Sequence, residues 1–332
     1  MAAINRQLEK LKKSVENGNY YEAHQMYRTV CNRYVKQSKY ADAIELLFSG
    51  SVTLLKHGQS GSGADLARYL VEAYTGGQIE VNNESRKRIF EILEIMPSEE
   101  PGRKIFIQEA IAWSAKFGEN PNGDSEFHHF LGNLLWKEKN FQEAERHFLL
   151  GTDESGRLLG SLLFEWAEFD NNIVHAANYL APAVLQQLSI KNIRDAIITF
   201  DTFIASWKTK DPNVMQAKSV DYKPAPVDPA TKVPLYREPL LNFLQLLLFT
   251  VQRDAADMFK TLRNAYQQVL SQEQLYSQLL DRIGETFFGI QPPRNQNLFQ
   301  DLFSSLLGGG GNIGSGASAA RPSGGRPAME LD

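Results

Sequence analysis

Residues 58–66, GQSGSGADL, carry the glycine spacing of a phosphate-binding loop, because four residues separate Gly58 from Gly63. In such a loop a lysine follows the second glycine and reaches the β- and γ-phosphates, and a hydroxyl residue then holds magnesium. Ala64 and Asp65 occupy those two positions here. Since a carboxylate would face the phosphates where a cation is needed, we predict no nucleotide site. The stretch is predicted to be a turn that ends one helix and begins another, with Asp65 near a helix N-terminus.

Histidine and cysteine do not form a recognisable catalytic or metal site in this sequence. His128 and His129 are neighbours, and on a helix their side chains would point about 100° apart, which disfavours a shared metal ion. Cys31 is the single cysteine, so a disulfide within the chain is excluded. No stretch combines a nucleophile, a base and an oxyanion stabiliser. We therefore predict an interaction protein, with no enzyme activity, no cofactor and no metal.

The best surface candidate is the aromatic and basic helix that begins near residue 20. Tyr21, His24 and Arg28 are spaced by three and four residues, so they share one helix face. Another face carries the residues expected to pack against neighbouring helices: Tyr20, Ala23 and Tyr27. Because aromatic and arginine side chains are favoured at the centres of interfaces, the first face predicts a protein-binding surface. An ordinary solvated helix face is the alternative.

Charge and hydropathy indicate a soluble intracellular protein. The 332 residues carry a net charge of −4, which disfavours nucleic acid as a partner. Residues 1–60 contain nine Lys and Arg against five Asp and Glu, a net of +4, so this end could meet an acidic partner. The longest apolar run, residues 240–251, has twelve residues, too few to cross a bilayer. The start of the chain has no apolar segment of a secretory signal.

A weak repeat predicts an all-α fold. Its pattern is an aromatic residue or Ile, two polar residues, Ala, and a large apolar residue four positions after the Ala. Copies begin at Tyr20, Tyr40, Phe141 and Ile193, which are 20, 101 and 52 residues apart. The pattern resembles the second helix of a tetratricopeptide repeat. We predict an α-solenoid of degenerate helical hairpins, an architecture that suits protein binding.

Proline and glycine mark two exceptions to the helical pattern. No proline precedes residue 97, yet six lie between Pro212 and Pro239. A continuous helix is excluded there, so residues 212–239 are predicted to form a loop or a short β-hairpin. Residues 297–307 predict a short amphipathic helix, and the Gly- and Ser-rich residues 308–332 predict a disordered tail.

Five stretches together resemble one known family, the Golgi-to-ER-traffic protein 4 family, and its vertebrate members in particular. They are GNYYEAHQMYRTVCNRYVKQSKYADAIELL from residue 18, GSGADL from residue 61, EAERHFLLGT from residue 143, NFLQLLLFTVQ from residue 242 and NLFQDLFSSLLGG from residue 297. The resemblance covers about residues 4–310. It implies an α-solenoid that acts as a cytosolic adaptor in the post-translational delivery of tail-anchored membrane proteins to the endoplasmic reticulum.

The resemblance also implies partners for each half of the chain. Residues 1–150 would bind a homodimeric targeting ATPase, and residues 151–307 would bind a ubiquitin-like protein and a BAG-family holdase. Clients would reach the ATPase from a small glutamine-rich TPR cochaperone, and failed clients would be routed to ubiquitination. The adaptor itself would neither insert into the membrane nor bind nucleic acid.

Site residues follow from the resemblance position by position. The ATPase-facing surface corresponds to Tyr20, Tyr21, His24, Gln25, Arg28, Arg33 and Asp65. The proline-rich segment stands where fungal members carry a hairpin that grips the ubiquitin-like partner, and its candidate contact residues are Val220, Tyr222, Val227, Leu235 and Tyr236.

Two alternatives stay open at this point. The chain could be a generic TPR-like solenoid in another assembly, such as a co-chaperone that grips acidic peptide tails. It could also be an enzyme built on the glycine-rich stretch at residue 58.

Overall fold

The computed structural model of this chain describes residues 9, 11, 13–212, 215–222 and 231–291. The predicted amphipathic helix at 297–307, the predicted tail at 308–332 and the candidate residue Val227 lie outside those ranges.

The described residues are almost entirely helical, as the sequence predicts. A helix that includes residues 13–16 comes first, and seven numbered helices follow it. They are α1 (Tyr20–Lys36), α2 (Tyr40–Lys56), α3 (Ser60–Gly76), α4 (Asn83–Ile95), α5 (Pro101–Phe117), α6 (Ser125–Lys137) and α7 (Phe141–Phe148). Then come α8 (Ser155–Phe169), a 3₁₀ turn (Ile173–His175), α9 (Ala177–Ser189) and α10 (Ile193–Lys210). After a β-hairpin, the chain continues with α11 (Pro239–Gln252), α12 (Ala256–Ala265), α13 (Gln267–Leu270) and α14 (Gln274–Phe288).

Many of the turns between helices share one backbone geometry. A residue in the left-handed region ends the helix, and the next N–H bonds to the carbonyl five residues back, as in a Schellman motif. The left-handed residues of the first four turns lie twenty positions apart: Gly18, Ser38, Gly58 and Gln78. At Ser38, for example, φ is +58° and the following Lys39 N–H lies 2.9 Å from the Tyr34 carbonyl oxygen. A helix of 17 residues and a turn of three therefore form the repeating unit.

Small residues let neighbouring helices approach closely. The alanine of every copy of the repeat is fully buried, and the large residue four positions later is buried as well: Ala23 and Tyr27, Ala43 and Leu47, Ala144 and Phe148, Ala196 and Phe200. A Cβ atom added at Gly50 would lie 2.8 Å from the Tyr27 ring. In the first part of the chain each helix also contacts the one after next: α1 with α3, α2 with α4, α3 with α5, and α4 with α6. This stacking is that of an α-solenoid, which confirms the predicted fold class.

The glycine-rich stretch differs from the predicted turn. The turn is confined to residues 57–59, and helix α3 begins at Ser60, so Asp65 lies in the second helical turn and not at the N-terminus. Gly63 is required by packing, because a Cβ atom there would lie 2.5 Å from Leu55 Cγ. Glycine thus serves close helix contact at position 63 and the left-handed conformation at Gly58, where φ is +72°.

The proline-rich segment contains the β-hairpin that the sequence offered as one of two predictions. Strands β1 (Met215–Tyr222) and β2 (Thr231–Tyr236) are antiparallel. The side chain of Asn242 on α11 fixes β2: its amide oxygen accepts from the Tyr236 N–H at 2.8 Å and its amide nitrogen donates to the Tyr236 carbonyl at 2.9 Å. Gln245 donates to the Pro234 carbonyl at 2.9 Å. Asn242 and Gln245, two polar residues of the apolar run 240–251, therefore attach the hairpin to the solenoid.

The buried apolar residues form two clusters. One extends from Leu11 to Leu131 and the other from Leu135 to Ile283, so both begin or end within α6. The functional division after residue 150 is a separate matter and stays a prediction.

We expect alanine to have opposite effects at two glycines of the same stretch. Gly58→Ala should lower the free energy of unfolding by about 1 kcal/mol, because a Cβ atom is unfavourable in the left-handed region. Gly61→Ala should raise it by about 0.5 kcal/mol, because Gly61 lies in a helix with open space around its Cα. Urea unfolding measures both variants, and effects of equal sign would contradict the assigned backbone geometry.

Candidate functional site

The predicted ATPase-facing residues meet where α1 lies beside α3. His24 and Arg28 project from α1 toward Asp65 on α3. The His24 Nε2 atom lies 2.8 Å from Asp65 Oδ2. Arg28 Nη1 donates to both carboxylate oxygens, at 2.6 Å and 2.5 Å. We refer to His24, Arg28, Asp65 and the neighbouring Tyr69 as the Asp65 cluster.

Two cationic or hydrogen-bonding side chains stabilise the charged form of Asp65. Burial alone would raise the pKa of this carboxyl, but hydrogen bonds from Arg28 and His24, together with their charges, outweigh burial and hold the pKa below its ordinary value. The carboxylate is therefore ionised at neutral pH. It is only partly covered, with 36% of its side chain exposed, so the cluster lies at the surface.

Tyr69 and Gln25 make further contacts with Arg28 and His24. The Arg28 guanidinium lies over the Tyr69 ring, with 5.6 Å between Cζ and the ring centroid, a cation–π contact. The Gln25 amide nitrogen is 3.4 Å from His24 Nδ1. Because a carboxylate can only accept, the Nε2–H of His24 donates to Asp65.

The remaining predicted residues of α1 are divided between two sides of the helix. Tyr21 is 75% exposed and lies three positions before His24 on the same helix face. The Tyr20 ring lies 5.9 Å from that of His57. Arg33 is five positions beyond Arg28 and so about 140° around the helix. Its guanidinium lies over the Tyr34 ring, at 5.7 Å. The structure therefore brings His24, Gln25, Arg28 and Asp65 together. Tyr20 contacts His57 instead, and Arg33 lies on a separate part of the surface.

Tyr69 is the residue of this cluster that the sequence prediction missed. It lies four positions after Asp65 on the same helix, a spacing that puts two side chains on one face. The spacing predicts that Tyr69 lies beside Asp65 only if residues 60–66 are assigned to a helix and not to a turn.

The hairpin candidates differ in how they are placed. Val220 and Tyr222 lie on β1, opposite Val233 and Thr231 of β2. Leu235 is half-buried, whereas Tyr236 is buried, with its ring 6.1 Å from that of Phe200. Burial raises the pKa of Tyr236 to about 12. Tyr236 thus faces the solenoid and holds β2 in place.

A histidine pair lies between α6 and α7. His128 Nδ1 and His147 Nδ1 are 2.8 Å apart, and His128 Nε2 is 3.0 Å from the Asn122 carbonyl oxygen. Because that carbonyl can only accept, the Nε2–H of His128 donates to it and its Nδ1 accepts from His147. Burial lowers the pKa of both residues, and that of His147 to about 3. The pair is neutral, and it holds α7 against α6.

Two features are absent from the described residues. Those residues contain no group of three or more His, Cys, Asp or Glu side chains arranged to hold a metal ion. None of the helices within the described ranges is both long and apolar enough to cross a membrane.

The chain is similar to proteins of one family along almost its whole length. Residues 37–307 match the sequence model of Golgi to ER traffic protein 4. The Golgi to ER traffic protein 4 of Aspergillus fumigatus is 37% identical over 99% of this chain and 99% of its own length. The Homo sapiens homologue is 34% identical over 90% of this chain and 85% of its own length.

A solved structure is similar as well. The crystal structure of C. therm. Get4 superposes with a TM-score of 0.80 at 34% sequence identity, covering 95% of this chain and all of that one. These similarities confirm the family predicted from the sequence. They do not single out its vertebrate members, because the Aspergillus relative is the more similar on both identity and coverage.

We expect the histidine pair to make the protein sensitive to acid. A lowered pKa means that the folded state favours neutral His147. The contribution of this residue to the free energy of unfolding is therefore fully present above pH 6.5 and is lost as the pH falls toward 3. The loss should be about 1 kcal/mol for each pH unit between 6.5 and 4.5. The partly buried Glu145 acts in the opposite direction, because burial raises its pKa to about 7.

His147→Asn isolates the contribution of this histidine, since Asn keeps a donor near Nδ1 but does not titrate. The difference in free energy of unfolding between the wild type and the variant should shrink steadily from pH 7 to pH 5. His57→Asn changes an exposed histidine and serves as the control. A difference that does not change with pH would contradict the neutral pair.

Proposed function

This chain belongs to the Golgi to ER traffic protein 4 family, and from that premise we propose that it is a cytosolic adaptor for the delivery of tail-anchored proteins to the endoplasmic reticulum. The family description supports a role in Golgi-to-ER traffic. The finer statement, an adaptor that bridges a targeting ATPase to other factors, draws on the family resemblance and on two separate surfaces of the solenoid.

The Asp65 cluster is the observation that carries the first half of this proposal. It joins side chains 37 and 41 residues apart in the sequence into one exposed polar surface. Arg28 and Tyr21 lie at its solvent side, and such residues are favoured at interface centres. We assign this surface, formed by α1 and α3, to the homodimeric targeting ATPase.

The hairpin supports the second half. A two-stranded sheet is marginally stable by itself, and here the side chains of α11 bind β2 from behind. A hairpin whose second strand is fixed to the solenoid is suited to hold a partner. We assign it to the ubiquitin-like protein and the BAG-family holdase, with clients arriving from the small glutamine-rich TPR cochaperone.

The proposal includes no catalytic step for this chain. The family description names a traffic protein and not an enzyme. Gly58 lies in the turn before α3, and Gly63 lies at a close helix contact. Both glycines are therefore explained by the fold, without a bound phosphate.

A charge reversal at the cluster should separate ATPase binding from folding. Arg28→Glu places two carboxylates together on α1 and α3 and should weaken ATPase binding about tenfold or more, chiefly through slower association. Arg68→Glu is the matched control, because Arg68 pairs with Glu109 between α3 and α5 in the same way, at 2.7 Å. Surface plasmon resonance at two salt concentrations measures both full-length variants.

Retention of the ubiquitin-like protein by Arg28→Glu would show that the solenoid is intact. Equal loss of ATPase binding in the two variants would contradict a site at the Asp65 cluster. Wild-type protein that binds neither the ATPase nor the ubiquitin-like protein would contradict the adaptor itself.

A further inference from the structure

Helix α6 separates the two buried apolar clusters of the solenoid. Its residues Phe130, Leu131 and Leu134 pack with the first cluster, whereas Leu135 and Trp136 pack with the second. Two consecutive residues of one helix thus belong to different clusters. Close-packed apolar interiors are stiff, so each cluster holds the helices around it as one body. We refer to α1–α6 as the first half of the solenoid and to α7–α14 as the second half.

A close apolar contact joins α6 to α7, the first helix of the second half. A Cβ atom added at Gly132 of α6 would lie 2.6 Å from the ring of Phe148. The rings of His129 and Trp136 meet Phe148 edge-on, with centroids 6.2 Å and 6.1 Å from its own. Phe148 is therefore a buried knob that α7 inserts into a socket on α6.

Hydrogen bonds join α6 to the second half on either side of this socket. One turn before Gly132, His128 Nδ1 lies 2.8 Å from His147 Nδ1 of α7. One turn after it, Trp136 Nε1 donates to Glu165 Oε2 of α8 at 3.0 Å. Because His128, Gly132 and Trp136 are four positions apart, they share one face of α6. The apolar contact therefore lies in the middle of that face, between two polar contacts.

Two polar groups at this junction also have a second partner within reach. His129 Nδ1 lies 2.9 Å from Ser155 Oγ and 3.2 Å from Thr152 Oγ1. The Glu165 carboxylate accepts from the tryptophan on Oε2 and from the Lys139 ammonium on Oε1. The outright loss of a buried hydrogen bond costs about 1–3 kcal/mol. A small displacement of α8 relative to α6 can exchange one partner for the other, so it costs less than that loss.

Within each half, in contrast, next-nearest helices approach closely through small residues. A Cβ atom added at Gly160 of α8 would lie 2.5 Å from the Thr199 carbonyl oxygen of α10. In the first half, one added at Gly102 of α5 would lie 2.9 Å from Ala64 Cβ of α3. Contacts this tight leave little room for relative motion. Between α6 and α8, imidazole and indole groups bridge the two helices instead.

We propose that the junction of α6 with α7 and α8 is a hinge, about which the two halves of the solenoid rock with Phe148 as the pivot. Such a motion displaces hydrogen bonds at the junction and leaves both apolar clusters packed. It changes the separation between the α1–α3 surface and the β-hairpin, which belong to different halves. The hinge is a property of the chain itself and does not depend on which partners bind these surfaces.

Distances between spin labels in the full-length protein test the hinge. One pair, Lys56→Cys with Lys260→Cys, places a label in each half. Two control pairs each lie within one half: Lys56→Cys with Lys116→Cys, and Arg194→Cys with Lys260→Cys. All of these positions are exposed, and the native Cys31 is buried and so stays unlabelled.

Double electron–electron resonance then gives a distance distribution for each pair. The pair across the junction should have a distribution about twofold or more broader than either control pair, because only that pair reports motion at the hinge. A distribution as narrow as those of the controls would overturn the inference. The measurement uses no partner, so its outcome is independent of the proposed function.

A matched pair of tryptophan variants locates the hinge. Trp136→Phe removes the indole N–H that bonds to Glu165 but keeps a ring beside Phe148, so the distribution across the junction should broaden further. Trp166→Phe is the control, because Trp166 packs on Tyr179 within the second half, and it should leave that distribution unchanged. Equal widths in the two variants would overturn the placement of the hinge at α6.

Discussion

The close approach of successive helices is the constraint on which the other features of this structure depend. Gly50 leaves room for the Tyr27 ring, and Gly63 leaves room for Leu55. Because α2 can lie so close to both of its neighbours, α1 comes near enough to α3 for Arg28 and His24 to reach Asp65. The surface cluster is thus a consequence of how tightly the buried side of the solenoid packs.

Much of the fold could be predicted from local patterns. The repeat alanines predict positions of close helix packing, and all four are buried. The interruption of the helices at 212–239 could be predicted because six prolines exclude a continuous helix, but the choice between a loop and a hairpin stayed open. The start of α3 could not, since glycine is ambiguous in sequence: Gly58 adopts a left-handed conformation, but Gly63 lies in a helix and only makes space. The turn at Ser38 carries no glycine to mark it, and at Gln78 two glycines precede the left-handed residue, which is not itself a glycine.

The candidate site was harder to predict than the fold. His24 and Arg28 share a helix face, so their proximity follows from spacing. Their contact with Asp65 depends on how two helices stack and has no local signal. The family resemblance supplied Asp65 as a candidate, but only the structure shows that its carboxylate accepts hydrogen bonds from Arg28 and His24 of α1. Spacing along α1 also explains why Arg33 belongs to another part of the surface.

An adaptor must hold its partners at the same time. The two candidate surfaces of this solenoid lie far apart in the sequence and on different structural elements. One is formed by helices α1 and α3, and the other by the hairpin that α11 supports. The most direct test is native mass spectrometry of the full-length protein mixed with the targeting ATPase and the ubiquitin-like protein. We predict one species that contains all three. Separate binary complexes that exclude one another would contradict the adaptor.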